Sequence, residues 1–300
     1  MTRVKAAPEG SRGALEAPLL ALAVAVLSIS TAAPLARLAA VDGVTAAWWR
    51  LLVGSLLTLT AAAARRELPR SRGLLPHSIA AGLLLAAHFA LWFQSLHYAT
   101  VASSTGIVVA YPVIAAVAEA AVEKRGATRR LLGAILGFAG VAVLSTPWAG
   151  ATPLGAGLSL AAAAAAAGYF LIGRRLRVKG ATTLEYTSAV YTAAFLASSL
   201  YAATLRTAPW RVPSHSIPYL VALGVIPMLG GHTMMNYALA YYPASTVTTA
   251  ALLEPFGASL LAWLLLGEQP PPAALPGAAL TATGAWLALQ EASLRGSTKK

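Results

Sequence analysis

Mostly apolar stretches, each about twenty residues long, alternate with short polar segments along the whole chain. Ten can be marked, at roughly 17–36, 44–64, 76–97, 101–122, 130–147, 153–173, 182–204, 216–240, 245–266 and 273–291. A helix needs about 20 such residues to cross the hydrocarbon layer of a bilayer. The pattern therefore predicts an all-α integral membrane protein with ten transmembrane helices. The segments between spans are about a dozen residues at most, so no appended soluble domain is expected. The polar, basic start "MTRVKAAPEGSRGALEAP" leads into the first span without a small-residue cleavage site followed by a soluble domain. That span is read as retained, not as a signal peptide. The sixth span carries "AAAAAAA" at 161–167. It is weakly hydrophobic for a lipid-facing helix but suits an interior one, where small residues let backbones approach.

Composition agrees with the pattern. Of 300 residues, 58% are hydrophobic and 11% charged, against about 25% charged in a soluble domain. Mean hydropathy is +0.68. The formal net charge is +12, from 22 Lys+Arg against 10 Asp+Glu. In a soluble chain that excess points to nucleic acid; here its placement explains it. Arg3, Lys5 and Arg12 precede the first span, and Arg295, Lys299 and Lys300 follow the last. Arg65, Arg66, Arg70 and Arg72, then Lys124, Arg125, Arg129 and Arg130, then Arg174, Arg175, Arg177 and Lys179 fill alternate loops. The other face holds Arg37, Arg206 and Arg211, and Arg50 sits inside a span. By the positive-inside rule both termini are cytoplasmic, and no nucleic-acid partner is needed. Cysteine is absent, which excludes disulfides and thiolate metal sites. No metal or other cofactor is expected. The expected partners are the lipid bilayer and a small-molecule substrate; monomer and homodimer both stay open.

The chain also repeats itself. "HYATVASSTGIVVAYP" (97–112) parallels "AYYPASTVTTAALLEP" (240–255): Tyr98 and Tyr241 precede Pro112 and Pro255 by the same interval, with small hydroxyl residues between. Glu123 with Lys124, and Gly267 with Glu268, follow the prolines, and Gly133 and Gly140 are echoed by Gly277 and Gly284 at equal spacing. The reading is two copies of five helices, residues 17–147 and 153–291, with tails at 1–16 and 292–300. An odd number of spans per copy inverts the second copy against the first. Inverted repeats are a transporter signature, because the halves can exchange conformations around a central site.

The segment "YYPASTVTTAALLEPFGASLLAWLLLGEQPPPAALPGAALTATGAWLAL" resembles the C-terminal half of EamA-type members of the drug/metabolite transporter (DMT) superfamily. The likeness rests on Glu254, Pro255, Gly267, Glu268, Gly277 and Gly284. In the first half it rests on Pro112, Glu123, Gly133, Gly140 and Arg50, and it spans about 17–290. One departure is "AAVEKRG", which lacks the Leu-Gly before Glu123. The resemblance implies ten helices in two inverted repeats around a central cavity, and carriage of small metabolites. These are frequently amino acids leaving the cell, with bacterial aromatic-amino-acid exporters as relatives. It places the protein in a prokaryotic inner (plasma) membrane.

Several residues are candidates for that work. Glu254 lies near a span centre, where an acidic side chain costs about 2.5–3.5 kcal/mol. It can bind a substrate amine, carry a coupling proton, or satisfy donors at the adjacent broken turn. Pro112 and Pro255 each free the carbonyl four residues earlier, Val108 and Ala251, for a kink, a hinge or a cavity wall. His88, Gln94, His232 and Asn236 are polar groups on the third and eighth spans, and the last two share a face. The alternative for each is a hydrogen bond to a neighbouring helix. Trp92, Tyr98, Tyr111 and Tyr237 stand where aromatics can line a pocket for an apolar side chain, or face lipid. Arg50 can snorkel, pair with an acid or attract a carboxylate; the first two are the plainer readings. Gly133 and Gly137 form a GxxxG pair suited to helix packing. Glu119, Glu185 and Glu268 sit near span ends and are expected at the interface.

These features favour a secondary transporter exporting small metabolites, most of all amino acids, by alternating access. A directly ATP-driven pump lacks its Walker motif. A sugar-phosphate or nucleotide-sugar carrier would want several buried cations, and one intramembrane arginine is present. A membrane-embedded enzyme would need a catalytic cluster such as HExxH, and the histidines show no ligand spacing. A receptor or scaffold would be expected to carry larger cytoplasmic loops.

Overall fold

In the computed structural model, which describes residues 13–69, 73–95, 97–99, 101–122, 128–145, 151–267 and 269–297, the apolar runs are helical. The first half holds α1 (Gly13–Ile29), α2 (Ala32–Ala39), α3 (Gly43–Ala64), α4 (Leu74–Ser95), α5 (Val101–Val108), α6 (Tyr111–Val122) and α7 (Thr128–Ser145). The second holds α8 (Pro153–Val178), α9 (Thr183–Thr204), α10 (Ile217–Leu223), α11 (Met234–Ala238), α12 (Ala244–Ala250), α13 (Glu254–Leu266) and α14 (Ala274–Ser297). Short polar side chains start three of the long helices. Asp42 accepts from the Thr45 amide at 3.0 Å, Thr152 from Gly155 at 3.1 Å and Thr182 from Glu185 at 3.1 Å. The Thr182 amide in turn donates to the Glu185 carboxylate at 2.8 Å, completing a capping box. Each cap satisfies a donor that the first helical turn leaves open and is worth about 1 kcal/mol.

Proline and glycine break the rods where the apolar count alone predicts continuous helices. Pro34 has no amide to give the Ser30 carbonyl, and α1 parts from α2 at Ser30–Thr31. The chain turns at Val109–Ala110 just before Pro112, and Ala251–Leu253 tightens to a 3-10 turn just before Pro255. Between α10 and α11, Gly224–Thr233 widens into a π-helix containing Pro227. Among the described residues, seven stretches are long and apolar enough to cross a membrane: Glu16–Ala39, Gly43–Ala64, Leu74–Ser95, Ser103–Val122, Pro153–Val178, Ser214–Ala238 and Ala244–Leu265. The remaining α7, α9 and α14 are helical over 18, 22 and 24 residues. The sixth span is longer than its apolar count. α8 continues through Arg174, Arg175 and Arg177 to Val178, and the chain turns at Gly180, whose φ is +98°. Among the described residues the extended-type pairing is one isolated bridge, Ala99 with Ala151.

The packing pairs elements across the two halves. α7 lies along α14, α3 along α9, and α6 along α12; α1 packs on the π-helix and α11, while α8 packs on α4. Small residues set the closest approaches. A Cβ on Gly133 would stand 2.5 Å from the Gly284 carbonyl oxygen, and one on Gly140 2.5 Å from that of Gly277. Gly137 belongs to the same crossing, since a Cβ on Gly284 would meet its amide at 2.5 Å. Within the alanine run, Ala162, Ala163, Ala165, Ala166 and Ala167 are buried. Outside, Leu20, Leu27, Leu200 and Leu264 are exposed, a surface suited to hydrocarbon and hostile to water.

The two ends of the bundle differ. At one end, here the basic face, Thr182 Oγ1 donates to Glu67 at 2.6 Å, Arg174 to the Leu239 carbonyl at 2.6 Å, and Arg177 Nε to the Asn236 carbonyl at 3.1 Å. At the opposite face, Trp49 donates to the Pro209 carbonyl at 2.8 Å and the Thr152 amide to the Tyr98 carbonyl at 2.9 Å. Glu119, expected near a span end, lies partly buried at the basic face, bonded to the start of α12. Glu123, Glu268, Arg70, Arg72, Lys124, Arg125, residues 146–150 and the chain ends 1–12 and 298–300 lie outside the described residues.

Candidate functional site

The interrupted helices meet around a central cavity. Its wall takes Ile29 from α1, Arg50 from α3, and Leu85, His88, Phe89 and Trp92 from α4. Thr105 and Val108 of α5, Val109 and Tyr111 at the break, and Ala166, Tyr169 and Phe170 of α8 continue it. His232, Met235 and Glu254 close it. The void is about 40 Å³. A water needs roughly 10–15 Å³ on such a measure, so the space holds a few waters. Ligand sites run to about 300 Å³ and more, so the centre is drawn in around its polar groups.

Those groups are short of partners. Arg50 is 4% exposed. It lies seven residues into α3, about 10 Å from the helix start at 1.5 Å per residue, and points into the centre rather than snorkelling to the interface. One Nη donates to the Pro227 carbonyl at 3.4 Å, and the guanidinium lies 4.8 Å from the centroid of the Phe89 ring. Its Nε has no hydrogen-bond partner, and neither do Trp92 Nε1, Thr105 Oγ1 and His232 Nδ1. His88 Nδ1 meets the Ala162 carbonyl at 3.0 Å. A carbonyl only accepts, so Nδ1 carries the proton. Glu254 faces this mostly donating set from the first residue of α13. Buried polar groups are normally satisfied, and a cluster of exceptions in one cavity points to a polar occupant.

A second polar layer stands behind the wall. Asn236 Nδ2 donates to Tyr169 OH at 2.5 Å and to Tyr191 OH at 3.3 Å, and Tyr191 OH pairs with Thr233 Oγ1 at 3.1 Å. This fixes the Tyr169 ring at the cavity edge. His232 lies nearly parallel to Phe170, with centroids 6.1 Å apart.

Of the residues read from the sequence, the structure brings His88, Trp92, Tyr111, His232, Glu254 and Arg50 to the cavity wall. Pro112 and Pro255 adjoin it, each following a wall residue, Tyr111 or Glu254. Asn236 sits one layer back, because it points toward Tyr169 and Tyr191 while His232 turns inward. Gln94, Tyr98 and Tyr237 are not on the wall. Gln94 is in the last turn of α4, beyond the cavity. Tyr98 is exposed past that helix end. Tyr237 packs against Tyr241 with ring centroids 5.3 Å apart and planes tilted by 51°. Tyr169, Phe170, Phe89 and Thr105 were not legible as site residues. The first two follow the alanine run and read as its apolar continuation. A signal did exist for the histidines: His88 and His232 are separated by the same interval as Gly133 and Gly277, and so occupy equivalent positions of the repeat.

The sequence model of the EamA-like transporter family matches at residues 16–146 and again at 153–290. A protein of Bacillus subtilis (strain 168), named as the uncharacterized transporter YwfM, is 28% identical over 243 residues, 79% of this chain and 80% of its own length. One solved crystal structure covers 93% of this chain and 98% of its own with a TM-score of 0.79 at 21% identity, a likeness of fold.

Proposed function

Because the chain belongs to the EamA-like transporter family of the DMT superfamily, we propose that it is a secondary transporter exporting amino acids from the cytoplasm by alternating access. The chain is an integral membrane transporter; the substrate, the direction and the ten-span arrangement are our reading. Its units are two inverted five-helix repeats, 17–147 and 153–291, with both termini cytoplasmic in a prokaryotic plasma membrane. The double family match and the cross-half pairing of α7 with α14, α3 with α9 and α6 with α12 support the repeat. The basic loops support the orientation.

One observation carries the substrate class: an arginine and a glutamate share the wall of one buried cavity, with unpartnered donors between them. A zwitterion matches both ends. Its carboxylate accepts from Arg50 Nε and Trp92 Nε1, and its ammonium faces Glu254. Phe89, Tyr111, Tyr169 and Phe170 supply an apolar wall for the side chain. A phosphorylated sugar would set its full charge against a single cation and a carboxylate.

Counterflow of radiolabelled amino acids into liposomes holding the purified protein tests this. The expected result is solute-specific, chemically unchanged flux, reduced about tenfold or more in Glu254→Gln while expression is preserved, in line with loss of one charge-assisted bond. Flux of phosphorylated sugars but of no amino acid would overturn the substrate assignment. Wild-type flux across pH in Glu254→Gln would remove Glu254 from it.

A further inference from the structure

We infer that Glu119, held by Arg130, is the latch that closes the basic face of the carrier and so sets which side the cavity opens to. The inference rests on the alternating-access reading above. Glu119 stands on α6, beyond the break before Pro112. Its Oε1 accepts from the Ala244 amide at 2.8 Å and its Oε2 from the Ser245 amide at 3.3 Å. Ser245 Oγ also donates to Oε2, and Arg130 Nη1 donates to the same oxygen at 3.3 Å. The carboxylate thus ties the end of α6 in the first half to the start of α12 in the second, with α7 supplying the countercharge. The side chains of Glu119 and Arg130 are 10% and 1% exposed, so little water competes for these bonds.

The repeat makes the latch informative. The offset between halves is the 143 that separates Pro112 from Pro255, or the 144 that separates Gly133 from Gly277. It carries Glu119 to Ala262 or Trp263, and Arg130 to Ala273 or Ala274. The charged tie therefore has no counterpart among the equivalent positions at the opposite face. There α13 packs instead on α1 and α2. Opening the basic face requires α6 and α12 to part, and that requires these bonds to break. The bonds described at the opposite face, such as Trp49 to the Pro209 carbonyl, are between neutral groups, so closing that face gains no charged tie of this kind. The latch consequently weights the carrier toward the form closed at the basic face, read as cytoplasmic.

The test uses the full chain, which is free of cysteine, with single reporters. Ala116→Cys lies buried on α6 toward the basic face, and Val109→Cys lies on the cavity wall. Labelling rates are measured with an impermeant maleimide from each side of the membrane. Glu119→Ala is expected to raise cytoplasmic-side labelling of Ala116→Cys about tenfold or more and to lower outer-side labelling of Val109→Cys, as a shift of population requires. Ser245→Ala, a gentler change that removes one hydroxyl, is expected to move both rates the same way by less. It decides the matter if Glu119→Ala elutes as aggregate. Unchanged rates at both reporters in a monodisperse variant would overturn the latch. The readout needs no substrate, so its failure is separate from failure of amino-acid counterflow.

Discussion

Arg50 shows how a single residue can be costly for the fold and yet suit the binding role proposed for it. A buried charge without full hydrogen bonding is expensive, and this one has a single long bond to Pro227, an aromatic face and an unpartnered Nε. Replacing both members of a buried ion pair by apolar side chains of similar volume is often neutral or stabilising by about 1–4 kcal/mol, whereas removing one member leaves the other charge buried and uncompensated. The double variant Arg50→Met/Glu254→Met, which removes both charges that share the cavity wall, is therefore expected to unfold at the same temperature as the wild type or higher in detergent without solute. It should lose the stabilisation that an amino acid, as the proposed substrate, is expected to give the wild type, a ligand effect of about 2.7 kcal/mol at a hundredfold excess over Kd. Thermal unfolding with and without saturating amino acid reads both effects. A destabilised double variant that still gains from ligand would make the two charges structural groups. The sequence made Arg50 visible as the one basic residue within a span. It did not show its direction, because snorkelling and inward pointing begin from the same position and differ only in which face of α3 meets α4.

At the scale of elements, what was legible follows the kind of signal. Apolar length locates helices, and the caps at Asp42, Thr152 and Thr182 fix starts because a hydroxyl or carboxylate there has a defined donor to satisfy. The π-helix at Gly224–Thr233 escaped the apolar count, although "GVIPMLGG" holds the residues that permit it. Pro227 withdraws one amide, and three glycines tolerate close approach, but whether the helix widens is decided by the neighbours it must fit. The glycines of α7 were legible by spacing, and the crossing with α14 gives them a measurable role. A Cβ on Gly140 would meet the Gly277 carbonyl oxygen at 2.5 Å and the Thr281 amide at 2.7 Å, backbone atoms that cannot rotate away. Gly140→Ala should cost about 1–3 kcal/mol by overpacking. Gly157 on α8 has nothing within 4 Å of the same position, so Gly157→Ala should be neutral or gain up to about 1 kcal/mol from helix propensity. Unfolding of the two variants in the same detergent separates them. Equal stabilities would mean that the α7–α14 crossing is looser than its glycines imply.

Across the whole molecule, the proposed exchange of halves makes a prediction that no single residue makes. The breaks before Pro112 and Pro255 occupy equivalent places in the two copies. If the copies are inverted, the operation that carries one break onto the other also turns a cavity open to one side into a cavity open to the other. A substitution that straightens α5 and α6 then has its mirror in one that straightens α12 and α13. Alanine at either proline restores an amide donor to the broken turn, so each variant shifts the balance between the two forms. Symmetry requires the two shifts to be opposite in sign, whichever sign Pro112→Ala takes. The Glu119 tie adds a constant bias to both and leaves the relation between them intact, since neither substitution touches it. The double variant should therefore return toward the wild-type balance. Labelling of Ala116→Cys and Val109→Cys from the two sides of the membrane measures the shifts. Motion of both single variants in the same direction would break the inverted-repeat mechanism, even if each half folds as described. Opposed shifts would tie the two proline breaks to one alternating motion.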